Sequence, residues 1–333
     1  DPQSRRDLLM YSSAHPREYP ACSGCSLCRL VCPMWRTRRD PRFSPEGIAK
    51  ARQNGAQAAE LAEVLDACVL CGACDPVCPE DIALTDMIVD LRRDLELPPD
   101  LAVLHVGYQQ AAAEAAPAPA GALLLPGAAL RADPELLTRV EALLGLRSAE
   151  DDGADLAVAL EIGADIDPAR KRRFLAVVEG RSLVVGDGLL LRELRRCLPQ
   201  ARLQGVGEAL GNRPAIRRRI ASADFYVIEP RAYHAEHARL VTHYDGLRKE
   251  TGCAMNLDLQ RIAMPSRASG YPGLRMGGAT EDQAQLRWLL QGRQPARIVV
   301  EDPADRELFR RVTDVPVLHL AELAASNEEL HHA

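Results

Sequence analysis

The stretch CSGCSLCRLVCP, residues 22–33, carries four cysteines and a closing proline, and CVLCGACDPVCP, residues 68–79, repeats the pattern. Both obey C-x2-C-x2-C-x3-C-P, and together they use eight of the ten cysteines in a chain of 333 residues. Three cysteines spaced two residues apart on a tight loop reach three irons of one [4Fe-4S] cube. The fourth, followed by proline, leads away, and in two-cluster arrangements it ligates the other cube. The spacing therefore predicts two [4Fe-4S] clusters. Cys22, Cys25, Cys28 and Cys78 are expected to hold one, and Cys68, Cys71, Cys74 and Cys32 the other. Zinc fits less well, because zinc sites draw on paired C-x2-C units and not on a run of three ending in C-P. Neither motif lacks a ligand, so these centres should carry single electrons and leave no iron open for substrate.

The insert between the motifs reads as helical. Ser44 is an N-cap ahead of Pro45 at the first helical position, GIAKARQ continues, and Gly55 stops the helix. QAAELAEVLDA then runs into Cys68. After the second motif, Thr85 is expected to cap a helix that places Leu84, Met87, Ile88, Leu91 and Leu95 on one face. Arg29, Arg36, Arg38, Arg39 and Arg42 follow the first motif, whereas Asp66, Asp75, Glu80, Asp81, Asp86, Asp90 and Asp94 surround the second with only Arg92 and Arg93 opposing. Nearby positive charge raises a cluster's potential and carboxylates lower it, but solvated faces would give the same pattern, so no direction of electron flow follows.

Residues 109–122, QQAAAEAAPAPAGA, read as an Ala/Pro-rich linker. Beyond it the runs ALLLPG (122–127), RSLVVGDG (181–188), DFYVIEP (224–230) and ARIVVEDP alternate with helical stretches, which predicts an α/β domain with a mainly parallel sheet. VVGDGLLLRELRRCLP and VVEDPADRELFRRVTDVPVLHL each read as strand, acidic turn and helix, and they point to an internal duplication. The expected fold is thus α+β and multidomain. It comprises an α-helical dicluster ferredoxin domain over residues 1–108, the linker, and an α/β domain over 123–333.

The motifs, the helical insert and CPEDIALTDMIVDLRRDL (78–95) resemble the helical-ferredoxin module of the heterodisulfide reductase C subunit and of the C subunit of anaerobic glycerol-3-phosphate dehydrogenase. In fused members of that group a duplicated cysteine-rich domain follows, each copy with a C-C-G signature. LLLPGAAL is similar to the opening of one repeat, with Ala128 where a cysteine is usual. YVIEPRAYHAEHARLVTHYDGLRKETG and RMGGA are similar to the second, with Arg275 and Met276 at the paired-cysteine positions, and IVVEDPADRELFRRVTDVPVLHLAEL matches the closing strand and helix. The resemblance implies a CCG-type fold that has lost its cofactor.

Other candidates are weaker. Cys197 and Cys253 lack C-x2-C partners and read as buried, inert thiols. His234, Glu236, His237 and His243 depart from H-E-x-x-H spacing and read as a surface or partner-facing helix. VGDGLLL and GVGEALG do not form a dinucleotide fingerprint. A net charge of -6 and 4% aromatic residues give no nucleic-acid footprint. No run nears the roughly eighteen apolar residues of a membrane span, and the opening residues lack a signal-peptide core. The expected localisation is cytoplasmic, peripheral to the inner membrane through a partner. The expected role is a non-catalytic electron-transfer subunit of an oxidoreductase complex. It would relay electrons between a flavin-containing dehydrogenase subunit or electron-transferring flavoprotein and a downstream, quinone-reducing membrane partner. The alternatives are a catalytic heterodisulfide-reductase-like subunit and a structural iron–sulfur scaffold.

Overall fold

In the computed structural model, residues 18–259, 261–266 and 279–324 are described, those of 279–282 by their backbone alone. The N-terminal part is built from short helices. Ser44 is extended and its hydroxyl accepts from the Gly47 N–H at 3.0 Å, opening the helix Pro45–Gln53 as the sequence predicts. A 3-10 turn, Ala58–Leu61, leads into Ala62–Ala67, which delivers the chain to Cys68. The next helix, Leu84–Arg93, begins one residue before Thr85, so Thr85 is not its cap. The donor at this terminus is satisfied from ten residues back, where Asp75 Oδ1 accepts from the Thr85 N–H at 3.0 Å.

Pro99–Glu114 forms one helix, so the first six residues of the expected linker are helical. Alanine loses no side-chain freedom in a helix, and Leu101 anchors the segment in a small core with Val158, Ala159 and Ile162. Only the proline-bearing remainder is irregular.

Two four-stranded sheets follow. In the first, β1 (Leu123–Leu125), β2 (Arg147–Ser148), β3 (Ser182–Val185) and β4 (Arg202–Gly205) lie in the order β2-β1-β3-β4, every pair parallel. In the second are β5 (Asp224–Val227) and β6 (Ala254–Met255), and after a small antiparallel pair, β7 (Leu257–Asp258) and β8 (Ile262–Ala263), come β9 (Arg297–Val300) and β10 (Val317–His319). Their order is β10-β9-β5-β6, again parallel. Numbered within its own half, each sheet reads 2-1-3-4.

The central strands β1, β3, β5 and β9 are buried on both faces, which is why they read as continuous apolar runs. Alternation sorts their side chains between layers. Leu124, Val184, Tyr226 and Val299 share a core between the two sheets. Leu123, Leu125, Leu183 and Val185 pack outward against Phe174 and Leu191. Phe225, Val227, Ile298 and Val300 form a continuous core with Val31, Met34, Phe43, Ile48 and Leu65 of the helical part. The cysteine-bearing helices therefore share one core with the second sheet. The halves meet where β3 and β5 end: a Cβ on Gly188 would lie 2.4 Å from Arg231 Cβ, an approach only glycine permits.

Candidate iron–sulfur centre

The first motif folds as a loop and a one-turn helix. Ser26 takes a left-handed conformation (φ 66°) ahead of the helix Leu27–Val31, which carries Cys28 into the interior and leaves Cys25 exposed. Cys32 is extended and Pro33 starts a new helix, so the fourth cysteine leaves the loop as the motif requires. The helix Pro45–Gln53 backs this loop: Lys50 Nζ donates to the Cys22 carbonyl at 2.7 Å and Gln53 Nε2 donates to it at 2.9 Å. Arg29 pairs with Glu46 at 2.8 Å.

Cys22, Cys25 and Cys28 line one small opening, and the cysteine that joins them is Cys78 of the second motif. Glu46, Glu80, Ile82 and Leu84 complete its wall. Among the described residues no three His, Cys, Asp or Glu side chains converge as a single metal ion requires. A cubane takes each thiolate at a different iron, so thiols spread round a space suit it.

The remaining four lie deeper. Cys32, Cys71 and Cys74 are buried and Cys68 is half-buried. Burial pushes the Cys32 thiol up to about 12, and its proximity to Cys68 and Cys71 adds to the rise. Burial likewise pushes Cys71 up to about 12, and Cys74 upward with help from Asp75 and the neighbouring thiols. These groups give up their protons only to a metal that compensates the charge. The loop is shaped to meet sulfur: Leu70 is left-handed (φ 48°) and its N–H points to Cys68 Sγ at 3.4 Å, while the Thr85 hydroxyl lies 3.7 Å from Cys74 Sγ.

What surrounds this second set is not visible in the local sequence. Arg92, 1% exposed, donates to the carbonyls of Leu65 at 2.7 Å, Cys68 at 2.5 Å and Glu161 at 2.5 Å. It is packed so closely that a Cβ on Gly163, itself at φ +75°, would lie 2.5 Å from Arg92 Cβ. Arg231, 4% exposed, comes from the helix Pro230–Ala235 just after β5 and donates to the Val69 carbonyl at 2.6 Å. Its guanidinium also pairs with the Glu161 carboxylate at 2.5 Å. Asp75 is matched by Arg192 of the α/β part at 2.9 Å, and Arg192 also holds Asp86 at 3.0 Å. Two of the carboxylates counted against the second motif are thus neutralised from a distance of more than a hundred residues.

His234 is not on a surface helix as its spacing suggests. It is buried, its Nδ1 lies 2.7 Å from the Cys71 carbonyl, and its Nε2 accepts from the Ala263 N–H at 3.2 Å. The acceptor role of Nε2 places the proton on Nδ1, which donates to Cys71. Burial pushes this ring down to about 3, so it is neutral at ordinary pH. Glu236 ends the short helix and is bound by Arg195 and Arg239, so the histidine-bearing segment is broken into two helices, Pro230–Ala235 and His237–Thr251. Cys253 is buried, whereas Cys197 is only half-buried, its thiol 3.5 Å from Glu193; burial raises both thiols, which keeps them unreactive. Ala128 follows β1 and is half-buried, while Arg275 and Met276 lie outside the described residues.

Where β5 and β9 end, buried and half-buried carboxylates gather. Burial raises Glu229 to about 8 and Glu301 to about 7, and the half-buried Asp302 is raised to about 6. The folded chain keeps protons that the unfolded chain releases above about pH 4.5, so this contribution to stability is full below that pH and is lost as pH rises through about 8. His234 and His319, pushed down to about 3 and about 4, act with the opposite sign, but their effect is complete above about pH 6.5. Between about pH 6.5 and 8, below the onset of thiol ionisation, the raised carboxylates dominate. We expect the urea midpoint to fall over that range, with Glu229 contributing about 2 kcal/mol. Glu229→Gln should flatten the slope, and an unchanged slope in that variant would show that Glu229 is ionised throughout.

The thiol arrangement fits an iron–sulfur protein. The sequence model of the 4Fe-4S dicluster domain family matches residues 18–82, a span that contains all eight motif cysteines. The N-terminal part is thus a 4Fe-4S dicluster domain, and a domain of this kind points to electron transfer. No curated protein and no solved structure matches the chain. Among the described residues, no helix is long and apolar enough to cross a membrane.

Proposed function

We propose that the chain is the electron-transfer subunit of an oxidoreductase complex and holds two [4Fe-4S] clusters. Cys22, Cys25, Cys28 and Cys78 bind one; Cys32, Cys68, Cys71 and Cys74 bind the other. The observation that carries this reading is that Cys78 lines the opening of the first motif and packs in one small core with Cys22 and Cys28, whereas Cys32 shares another core with Cys68 and Cys71. Bound there, each cluster takes up and releases one electron at a time.

The chain's own residues make the two sites unequal. Cys25 is exposed, and Leu27 and Leu30 beside it are 38% and 46% exposed. Arg38 and Arg39 are exposed on the helix and turn that follow. This rim is the face we assign to a partner. Flavins collect electrons in pairs and a two-cluster carrier lets them leave singly, which suits a flavin-containing dehydrogenase subunit or an electron-transferring flavoprotein on one side and a quinone-linked acceptor on the other. The shared 2-1-3-4 strand order of the two sheets supports an internal duplication of the α/β part, in keeping with the resemblance of the sequence to heterodisulfide-reductase-type subunits.

The test is iron and sulfide analysis of anaerobically purified chain, followed by reduction with dithionite and EPR. About eight irons per chain and two reducible centres are expected. A chain with that iron content but no reduced-cluster signal would be a scaffold. Substantially more iron would place a further cluster in the α/β part and favour the catalytic reading.

A further inference from the structure

The second-motif loop is held by its carbonyls from outside. Leu65 and Cys68 receive Arg92, Val69 receives Arg231 and Cys71 receives His234. Arg231 and His234 belong to the α/β part, in one short helix. Two of the three clamping side chains are buried guanidiniums, and Glu161 meets both: its backbone carbonyl accepts from Arg92 and its carboxylate pairs with Arg231. Asp75, next to Cys74, is answered by Arg192. Glu229, near Arg231, is buried and keeps its proton up to about 8. At the first motif, by contrast, Arg29 is paired with Glu46, Lys50 is on a part-buried rim, and Cys25 faces water. Charge acts more strongly where water is excluded, and positive charge there favours the reduced, more negative centre.

Resting on the ligand sets proposed above, we infer that Arg231 is a positioning residue through which the α/β part clamps the second-motif loop. Together with Arg92, it sets the potential of that buried cluster above that of the exposed one. The buried site is then the electron-retaining end and the exposed site the end that exchanges with a partner. The α/β part serves electron transfer by tuning a cluster bound by the other part.

The experiment is EPR-monitored redox titration of the full chain, with dithionite as electron donor. A Cys25→Ala variant, lacking a first-motif ligand, assigns the second-motif signal. Arg231→Met should move the midpoint of that cluster to more negative potential. Glu161→Gln, which keeps both guanidiniums and removes the negative charge paired with Arg231, should move it to more positive potential. Arg231→Lys should recover part of the loss. The first-motif cluster should not move in any of them. Equal shifts of both clusters, shifts of one sign in Arg231→Met and Glu161→Gln, or no shift at all would overturn the inference. Should Arg231→Met fail to assemble its cluster, Glu161→Gln decides alone, because general destabilisation does not raise a potential. A wild-type chain with a single reducible centre would remove the ligand assignment itself, a failure distinct from unshifted potentials in a two-cluster chain.

Discussion

Replacing Cys78 by alanine is expected to halve the iron of the chain, from about eight atoms to about four, and the cluster lost should be that of the first motif. Cys78 lies in the second motif by sequence, yet it lines the opening formed by Cys22, Cys25 and Cys28. Double variants make the outcome unambiguous, because two ligands of one cluster cannot cost more than that cluster. Cys78→Ala combined with Cys25→Ala should retain about four irons, whereas Cys78→Ala combined with Cys71→Ala should retain almost none. If each motif held its own cluster, the two doubles would give the reverse. The same reasoning predicts that Cys32 belongs to the second set, since its buried side chain shares a core with Cys68 and Cys71.

The second large effect is expected at a residue that binds no iron. Arg92→Met should lower the stability of the cluster-loaded chain by about 4 kcal/mol, since buried carbonyls deprived of a donor cost about 1–3 kcal/mol each. Leu65, Cys68 and Glu161 all present their carbonyls to this one guanidinium. Lysine should rescue little, as a single ammonium cannot reproduce the planar fork that spans three acceptors. Denaturant unfolding under anaerobic conditions measures the difference. A loss under about 1 kcal/mol would mean that the carbonyls find other donors in the variant.

Arg92 also marks the limit of what was legible beforehand. By position it is one of two cations set against seven carboxylates around the second motif, an apparently acidic neighbourhood. In the fold it is buried with its charge turned to the cysteine loop, and Asp75 and Asp86 are taken up by Arg192. A charge count along the chain cannot register partners that arrive from the far side of the molecule. His234 fails in the same way. Its spacing excludes a metal-binding helix, but that it would be buried against the Cys71 carbonyl depended on how the second sheet seats the helix Pro230–Ala235. The cap of Leu84–Arg93 misled for a related reason, because Asp75 performs by tertiary proximity what Thr85 was expected to do locally.

Local chemistry was read well wherever the cause is local. The doubled C-x2-C-x2-C-x3-C-P pattern dictates eight thiols and a fourth cysteine turned away from its own loop. Ser44 and Pro45 start a helix because they meet its first unsatisfied donors and its fixed backbone angle. The central strands β1, β3, β5 and β9 announce themselves as short apolar runs because the middle of a parallel sheet is covered on both faces, whereas the edge strands β2, β4 and β6 carry no such run. The linker was overextended, since alanine-rich sequence looks empty of packing residues yet continues a helix at no side-chain cost.

By itself, then, the sequence determined the eight motif cysteines, the class of centre they suit and the central strands with their intervening helices, all of which follow from residue type at short spacing. Tertiary structure alone decided that the sheets repeat one strand order, that Cys25 faces water while Cys32, Cys71 and Cys74 do not, and that Arg92, Arg231 and His234 close upon the second motif. Those outcomes depend on which buried faces meet, and residues 69 and 231 become neighbours only when the second sheet and the cysteine-bearing helices share one core.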